Sequence, residues 1–222
     1  MKTVTAAQMR RIDRMAVERL KIPVLLLMDS AGRAVAEAAR HLLKKSRGRK
    51  VSVVCGGGNN GGDGIAAARY LKGWGYGVNV FWLKNPAEGD EGLVFHYEMA
   101  KRCGVPFFSF SRIPARQRVK MLREANVLID ALLGTGTRGH LRVPFFDAIV
   151  AMNAARRPIV SVDLPSGLDP DTGRALDIAV RARLTVTLAA PKKGLFLRSA
   201  RPYVGKIRIA DIGIPHSILS SK

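Results

Sequence analysis

The chain has 222 residues, 47% of them apolar and 24% charged, enough to bury one sizeable core and too apolar for a disordered protein. Thirty-seven Lys and Arg against seventeen Asp and Glu give a formal net charge of +20, a field that attracts phosphates, nucleic acid or acidic surfaces. The longest apolar runs, such as Val127 to Leu133, are broken by Asp130 and fall far short of the roughly 20 residues that a membrane helix needs.

The start, "MKTVTAAQMRRIDRMAVERL", has no apolar core of the signal-peptide kind, and Asp13 and Glu18 argue against a transit peptide. It reads as an amphipathic helix over Ala6–Leu20. A second helix follows over Pro23–Lys45, with Leu26, Ala34 and Leu42 among polar positions, and the basic run "HLLKKSRGRK" reads as a solvated helix face. Branched apolar runs then predict strands at Val51–Cys55, Val78–Leu83, Val127–Asp130, Ile159–Leu164, Leu184–Leu188 and Ile207–Ile209. Helices are expected over Gly64–Trp74, Gly92–Arg102, Ala115–Glu124 and Val143–Ala155. Alternating strands and helices imply a single α/β domain over residues 1–222, a three-layer sandwich whose mostly parallel central sheet carries helices on both faces. Cys55 and Cys103 form no CxxC and no zinc spacing, which fits buried thiols in a reducing cytoplasm.

In such a sheet, ligands collect beyond the carboxyl ends of the strands. Four polar, glycine-rich segments stand there: "GGGNNGGDG", "DALLGTGTRG", "DLPSGLDPDTG" and "APKKGL". The first presents bare backbone and a helix start to an anion, so phosphate is its natural occupant. Its match to GxGxxG is weak in so glycine-rich a run, and the acid expected about 20 residues later is missing, because the second strand ends in Leu83-Lys84-Asn85. The lysine-bearing phosphate loop of nucleotide hydrolases is absent too. Dehydrogenase and kinase readings are thereby set back.

Asn60, Asp130 and Ser166 offer oxygens suited to a hard cation, although Asn and Asp in such loops also serve as turn and cap residues. Asp130 and Asp163 each end a buried strand, where environment can tune a carboxyl for acid–base work. Lys192 or Lys193 could meet phosphate or act as an acid. Thr135, Thr137 and the "GTGTRG" backbone form another anion-cradling turn with Arg138 at hand. The four histidines lack metal spacing and a nucleophile partner.

Taken in order, "GGGNNGGDG", "IDALLGTGTRG", "VSVDLPSGLDPDTG", "LTVTLAAPKKGL" and "IADIGIP" resemble the N-terminal YjeF domain, the NAD(P)H-hydrate epimerase family, from about Thr5 to Pro215. The resemblance implies a Rossmann-like fold, an isomerase that interconverts the R and S forms of NADHX and NADPHX, and one bound potassium ion per subunit. By motif, it assigns Asn59, Asn60, Gly61, Gly62 and Asp63 to the dinucleotide, and Asn60, Asp130 and Ser166 to potassium. Gly134, Thr135, Gly136, Thr137, Arg138, Gly139, His140 and Asp163 would line the substrate site. Asp163 is the expected acid–base catalyst, with Lys192 as its proton-donating or phosphate-holding partner.

Where the family shows Met-Glu-Asn-Ala-Gly, this chain has Met28-Asp29-Ser30-Ala31-Gly32, in a helix the family uses for packing or dimer contacts. The resemblance further implies a homodimer without membrane attachment. Its functional partner would be a separate ADP- or ATP-dependent dehydratase, since no fused dehydratase domain is expected here. The competing reading is a non-catalytic nucleotide- or RNA-binding module of the same fold, which the +20 charge would suit.

Overall fold

The structure is a computed structural model and describes residues 3–219. Seven strands form one sheet in the order β3-β2-β1-β4-β5-β6-β7. They are β1 (Lys50–Cys55), β2 (Gly77–Trp82), β3 (Phe107–Ser109), β4 (Val127–Ala131), β5 (Ile159–Val162), β6 (Leu184–Leu188) and β7 (Lys206–Ala210). Every neighbouring pair is parallel, so the sheet is wholly and not merely mostly parallel. The chain winds outward from β1 through β2 to β3, then crosses back to β4 on the other side of β1. Strand order therefore reverses between β1 and β4, and a crevice must open at their carboxyl ends.

All six expected strands are present. The seventh, β3, is a three-residue edge strand, too short for a periodic signal. Strand burial explains why the others were legible: β1 and β4 are covered on both faces and read as near-continuous branched apolar runs. Alternate residues feed two cores. Val51, Val53, Ile129 and Ala131 pack with the helices α2 (Val24–Ser46), α3 (Asn59–Gly73) and α4 (Glu91–Arg102). Val54, Leu128 and Leu132 face the opposite side, with Leu122 of α5 (Ala115–Arg123) and Ile149 of α6 (Val143–Ala154).

Two helices depart most from expectation. The helix expected from Gly64 begins at Asn59, so "NNGGDG" is the first turns of α3 and not a loop. Glycine disfavours helix, but here each one permits a close approach. A Cβ on Gly61 would lie 2.2 Å from the Gly56 carbonyl oxygen, one on Gly62 2.3 Å from Met28 Sδ, and one on Gly64 2.3 Å from Ala131 Cβ. The first helix splits into α1 (Ala6–Arg14) and a π-helical turn over Met15–Arg19.

Helix α1 is fixed at its start. Thr5 and Gln8 form a reciprocal capping box, the Ala6 amide donates to Asp171 Oδ1 at 2.7 Å, and Val4 bridges in parallel to Lys192. The Met28–Gly32 segment packs within the chain. A Cβ on Gly32 would lie 2.4 Å from Ala66 Cβ, and Asp29 accepts hydrogen bonds from Arg69 and Tyr70 of α3 at 2.5 and 2.6 Å. Cys55 is buried as expected, while Cys103 is exposed.

Candidate active site at the sheet switch point

A cleft of about 590 Å³ lies over the carboxyl ends of β1, β4, β5 and β6. Its walls come from α1, the start of α2, the β1–α3 turn and the loop after β4. Gly58 precedes α3 in an extended conformation with no side-chain cap. The amides of the first helical turn therefore face the cleft without a capping oxygen, a geometry suited to an anion. Asn59, Asn60 and Asp63 line the cleft, whereas Gly61 and Gly62 take up the contacts with Gly56 and Met28 described above.

Beneath the loop after β4, Asp130 is fully buried. Its Oδ1 accepts from Ser166 Oγ at 2.5 Å and the Leu132 amide at 3.4 Å, and its Oδ2 from Ser161 Oγ at 2.8 Å and the Ser166 amide at 2.9 Å. Burial raises this carboxyl above its usual range, and the bonds from Ser166, Ser161 and Leu132 pull it back. Ser166 Oγ also accepts from the Leu133 amide at 3.0 Å, and Asn60 Nδ2 donates to the Leu133 carbonyl at 3.1 Å. Asn60 and Ser166 thus meet at Leu133, and Asp130 holds Ser166 from below. Asn60 Oδ1 is buried with no hydrogen-bond partner.

At the end of β5, Asp163 adopts φ +65°, a left-handed conformation that costs a non-glycine residue energy. Its Oδ1 accepts from Lys192 Nζ and from the Leu188 amide at 3.1 Å. Lys192 is 1% exposed, and its Nζ also donates to the Leu188 carbonyl at 2.8 Å. Two of its three N–H donors are so occupied, leaving one for a ligand. Lys193, the alternative lysine, is exposed and only its backbone is held, by Val4.

Gly134, Thr135, Gly136 and Thr137 line the cleft. Arg138 instead turns its guanidinium back to the carbonyls of Thr135 and Thr137 at 3.0 and 2.8 Å. His140 lies on the surface and pairs with Asp177 at 2.8 Å, a bond that raises its pKa. Arg138, Gly139 and His140 are outside the cleft lining.

Three lining residues carry chemistry that the sequence pattern did not single out. Lys84, just after β2, packs its Cβ near Gly57 and brings a cation to the rim. Arg10 and Asp13 enter from α1, together with Met9 and, from the π-helical turn that follows, Val17. The spacing of Met9 and Asp13 was the available signal, masked by arginines all round the helix. Asp13 is an exposed residue on its helix, and the protein packed beside its carboxyl raises it to about 6, with Lys192 opposing and Asp163 reinforcing the shift. Asp63 is buried and raised well above the usual range, by burial first and then by Asp163 and Asp13, against Lys192.

An open helix start at the switch point, with a buried lysine–carboxylate pair beyond the neighbouring strands β5 and β6, defines a doubly wound α/β protein with its ligand cleft at the carboxyl edge of the sheet. Residues 24–194 match the family described as YjeF-related protein N-terminus, and the chain belongs to that family. It is 43% identical over 220 residues to the bifunctional NAD(P)H-hydrate repair enzyme Nnr of Pyrobaculum aerophilum, covering 97% of this chain and 42% of that one. It is 37% identical over 208 residues to the NAD(P)H-hydrate epimerase of Limosilactobacillus fermentum, covering 94% and 95%. The crystal structure of yeast ynu0, YNL200c, superposes with a TM-score of 0.80 at 27% identity, over 94% of this chain and 87% of that one. The chain thus spans less than half the length of the bifunctional relative and nearly the whole of the epimerase.

Proposed function

We propose that the protein is an NAD(P)H-hydrate epimerase, an isomerase that interconverts R- and S-NADHX and their phosphorylated counterparts. The observation that carries this is the buried Asp163–Lys192 pair, fixed at the floor of a cleft whose rim offers helix amides and cations to a dinucleotide. In the hydrate, C6 bears a hydroxyl next to the ring nitrogen, so protonating that hydroxyl lets it leave as water while the nitrogen lone pair stabilises the cation formed. Lys192 holds a proton where its remaining donor can reach the cleft, and Asp163 keeps the ammonium in place and accepts a proton from incoming water. Enclosure of Nζ favours this proton role for Lys192 over a grip on phosphate. Thr135, Thr137, Lys84 and the α3 amides suit the pyrophosphate.

Potassium fits the oxygen cluster in a particular way. The open lone pairs of Asn60 Oδ1 make it a direct donor, whereas both oxygens of Asp130 are already engaged by four protein donors, so Asp130 contributes charge and holds Ser166. Asn60, Asp130 and Ser166 would hold the ion together, and it would fix the two loops flanking the crevice and add positive field beside the phosphates. The product of the reaction feeds an ADP- or ATP-dependent dehydratase, and we read the assembly as a homodimer. Curated epimerases among the relatives favour this reading over a non-catalytic RNA module.

The test couples the protein to an S-specific dehydratase in excess and follows R-NADHX consumption in potassium or sodium buffer. Protein-dependent consumption that is faster in potassium, and reduced at least about 100-fold in Asp163→Ala, is the expected result. No acceleration over the spontaneous rate in either salt would remove the assignment.

A further inference from the structure

We propose that Asp13 is a second acid–base group of the active site, serving the face of the substrate ring opposite to the one served by Asp163 and Lys192. The inference rests on the epimerase reading and deepens it. When C6 inverts through loss of its hydroxyl, the route taken above, the hydroxyl leaves from one face of the ring and water adds from the other. A single acid–base pair, held at one wall, returns the hydroxyl to the face it left.

The two walls are distinct. Asp163 and Lys192 belong to the ends of β5 and β6, while Asp13 enters the same cleft from α1. Helix α1 is pinned where this matters, since Val4 bridges to Lys192 itself and Asp171, from the "DLPSGLDPDTG" loop, caps the Ala6 amide. Asp13 is also unusual in what it avoids. Its own helix carries Arg10, Arg11 and Arg14, and the chain has a net charge of +20, yet among the described residues Asp13 makes no hydrogen bond or ion pair. A carboxyl that declines so many cations and faces a cleft is free to exchange a proton. The π-helical turn starting at Met15, just beyond it, is a distortion that concentrates at functional positions.

The step balances without an outside redox partner. The Asp13 carboxyl gives its proton to the C6 hydroxyl, the C–O bond breaks with its electron pair leaving as water, and the N1 lone pair forms the C6=N1 iminium. A solvent water then adds to C6 from the other face, its proton passes to the Asp163–Lys192 pair, and the iminium electrons return to N1. The pair then releases that proton to solvent, and solvent returns one to Asp13. In the reverse direction the roles exchange. Asp13 titrates in the field of Lys192, Asp163 and Asp63 from the sheet side and Arg10 from its own helix, with Lys84 and Asp90 at the rim. With its carboxyl raised to about 6, the protonated form is present below that pH and lost above it.

The experiment measures inversion and hydroxyl exchange separately, for purified R- and S-NADHX in ¹⁸O-water, with wild-type protein, Asp13→Asn and Asp13→Glu. Wild-type protein should invert C6 and incorporate ¹⁸O in both epimers; failure of both would sink the epimerase reading itself. Asp13→Asn should lose inversion by at least about 100-fold while one epimer, and only one, still exchanges its hydroxyl with retention. Its kcat/KM profile should lack the limb near pH 6 that the wild type shows. Asp13→Glu, which keeps the carboxyl, should recover part of the inversion. Inversion by Asp13→Asn at the wild-type rate would overturn the proposal, as would joint loss of inversion and of exchange in both epimers, the mark of a residue that only supports the fold.

Discussion

Asp63 shows how the cleft sets its carboxyls against one another. Burial and the neighbouring Asp163 and Asp13 raise it well above its ordinary value. In the unfolded chain it titrates near about pH 4. A group raised on folding contributes stability that is complete below its unfolded pKa and lost as pH rises through the folded one. Asp63→Asn removes that loss. The melting temperature of the variant should therefore gain on that of the wild type as pH is raised from 4 to 8, in thermal melts monitored by circular dichroism. A constant difference across that range would mean that Asp63 is not raised. At this scale the sequence was legible for Asp163, whose place at a strand end is visible in "IVSVDLPSG", but not for Asp13. What distinguishes Asp13 is the wall it faces, and a helix whose basic residues cover every side conceals that.

Helix α3 shows what the glycines do as part of an element. Gly64 sets the distance between α3 and β4, where a Cβ would meet Ala131 Cβ at 2.3 Å, while Gly58 has nothing within 4 Å and an ordinary extended backbone. Gly64→Ala should cost about 1–3 kcal/mol through overpacking. Gly58→Ala should change stability by less than about 0.5 kcal/mol. Urea denaturation of the two variants tests this, and equal effects would show that the glycine run serves flexibility and not approach. The sequence marked this run as an anion-cradling turn; packing decided that it is helix from Asn59 onward. Propensity scales count the missing side chains as a penalty, and only the neighbouring elements reveal the space those side chains would have filled.

Over the whole molecule, a net charge of +20 favours encounter with an anionic ligand such as the dinucleotide proposed above. Field steering of this kind acts on encounter and fades as the Debye length contracts from about 30 Å at 0.01 M to about 8 Å at 0.15 M. KM for the dinucleotide hydrate should accordingly rise several-fold between low and physiological ionic strength at constant potassium, with kcat unchanged. Steady-state kinetics across a choline chloride series would show it. A salt-independent KM would assign the basic surface to something other than this substrate.

The linear order of strands and helices, the placing of glycines and carboxylates after the strands, and the family resemblance were all determined by the sequence alone. These are local signals: periodicity, branched apolar runs and turn residues. Three things needed the tertiary structure. The reversal of strand order between β1 and β4 joins segments more than seventy residues apart into one crevice. The choice of Lys192 over Lys193 depends on which side of the chain Val4 binds. The entry of α1 into the cleft, with Asp13 facing Asp163 and Lys192, depends on the contacts that hold its first turn. In each case the deciding contact lies between residues far apart in the chain, and no local pattern records it.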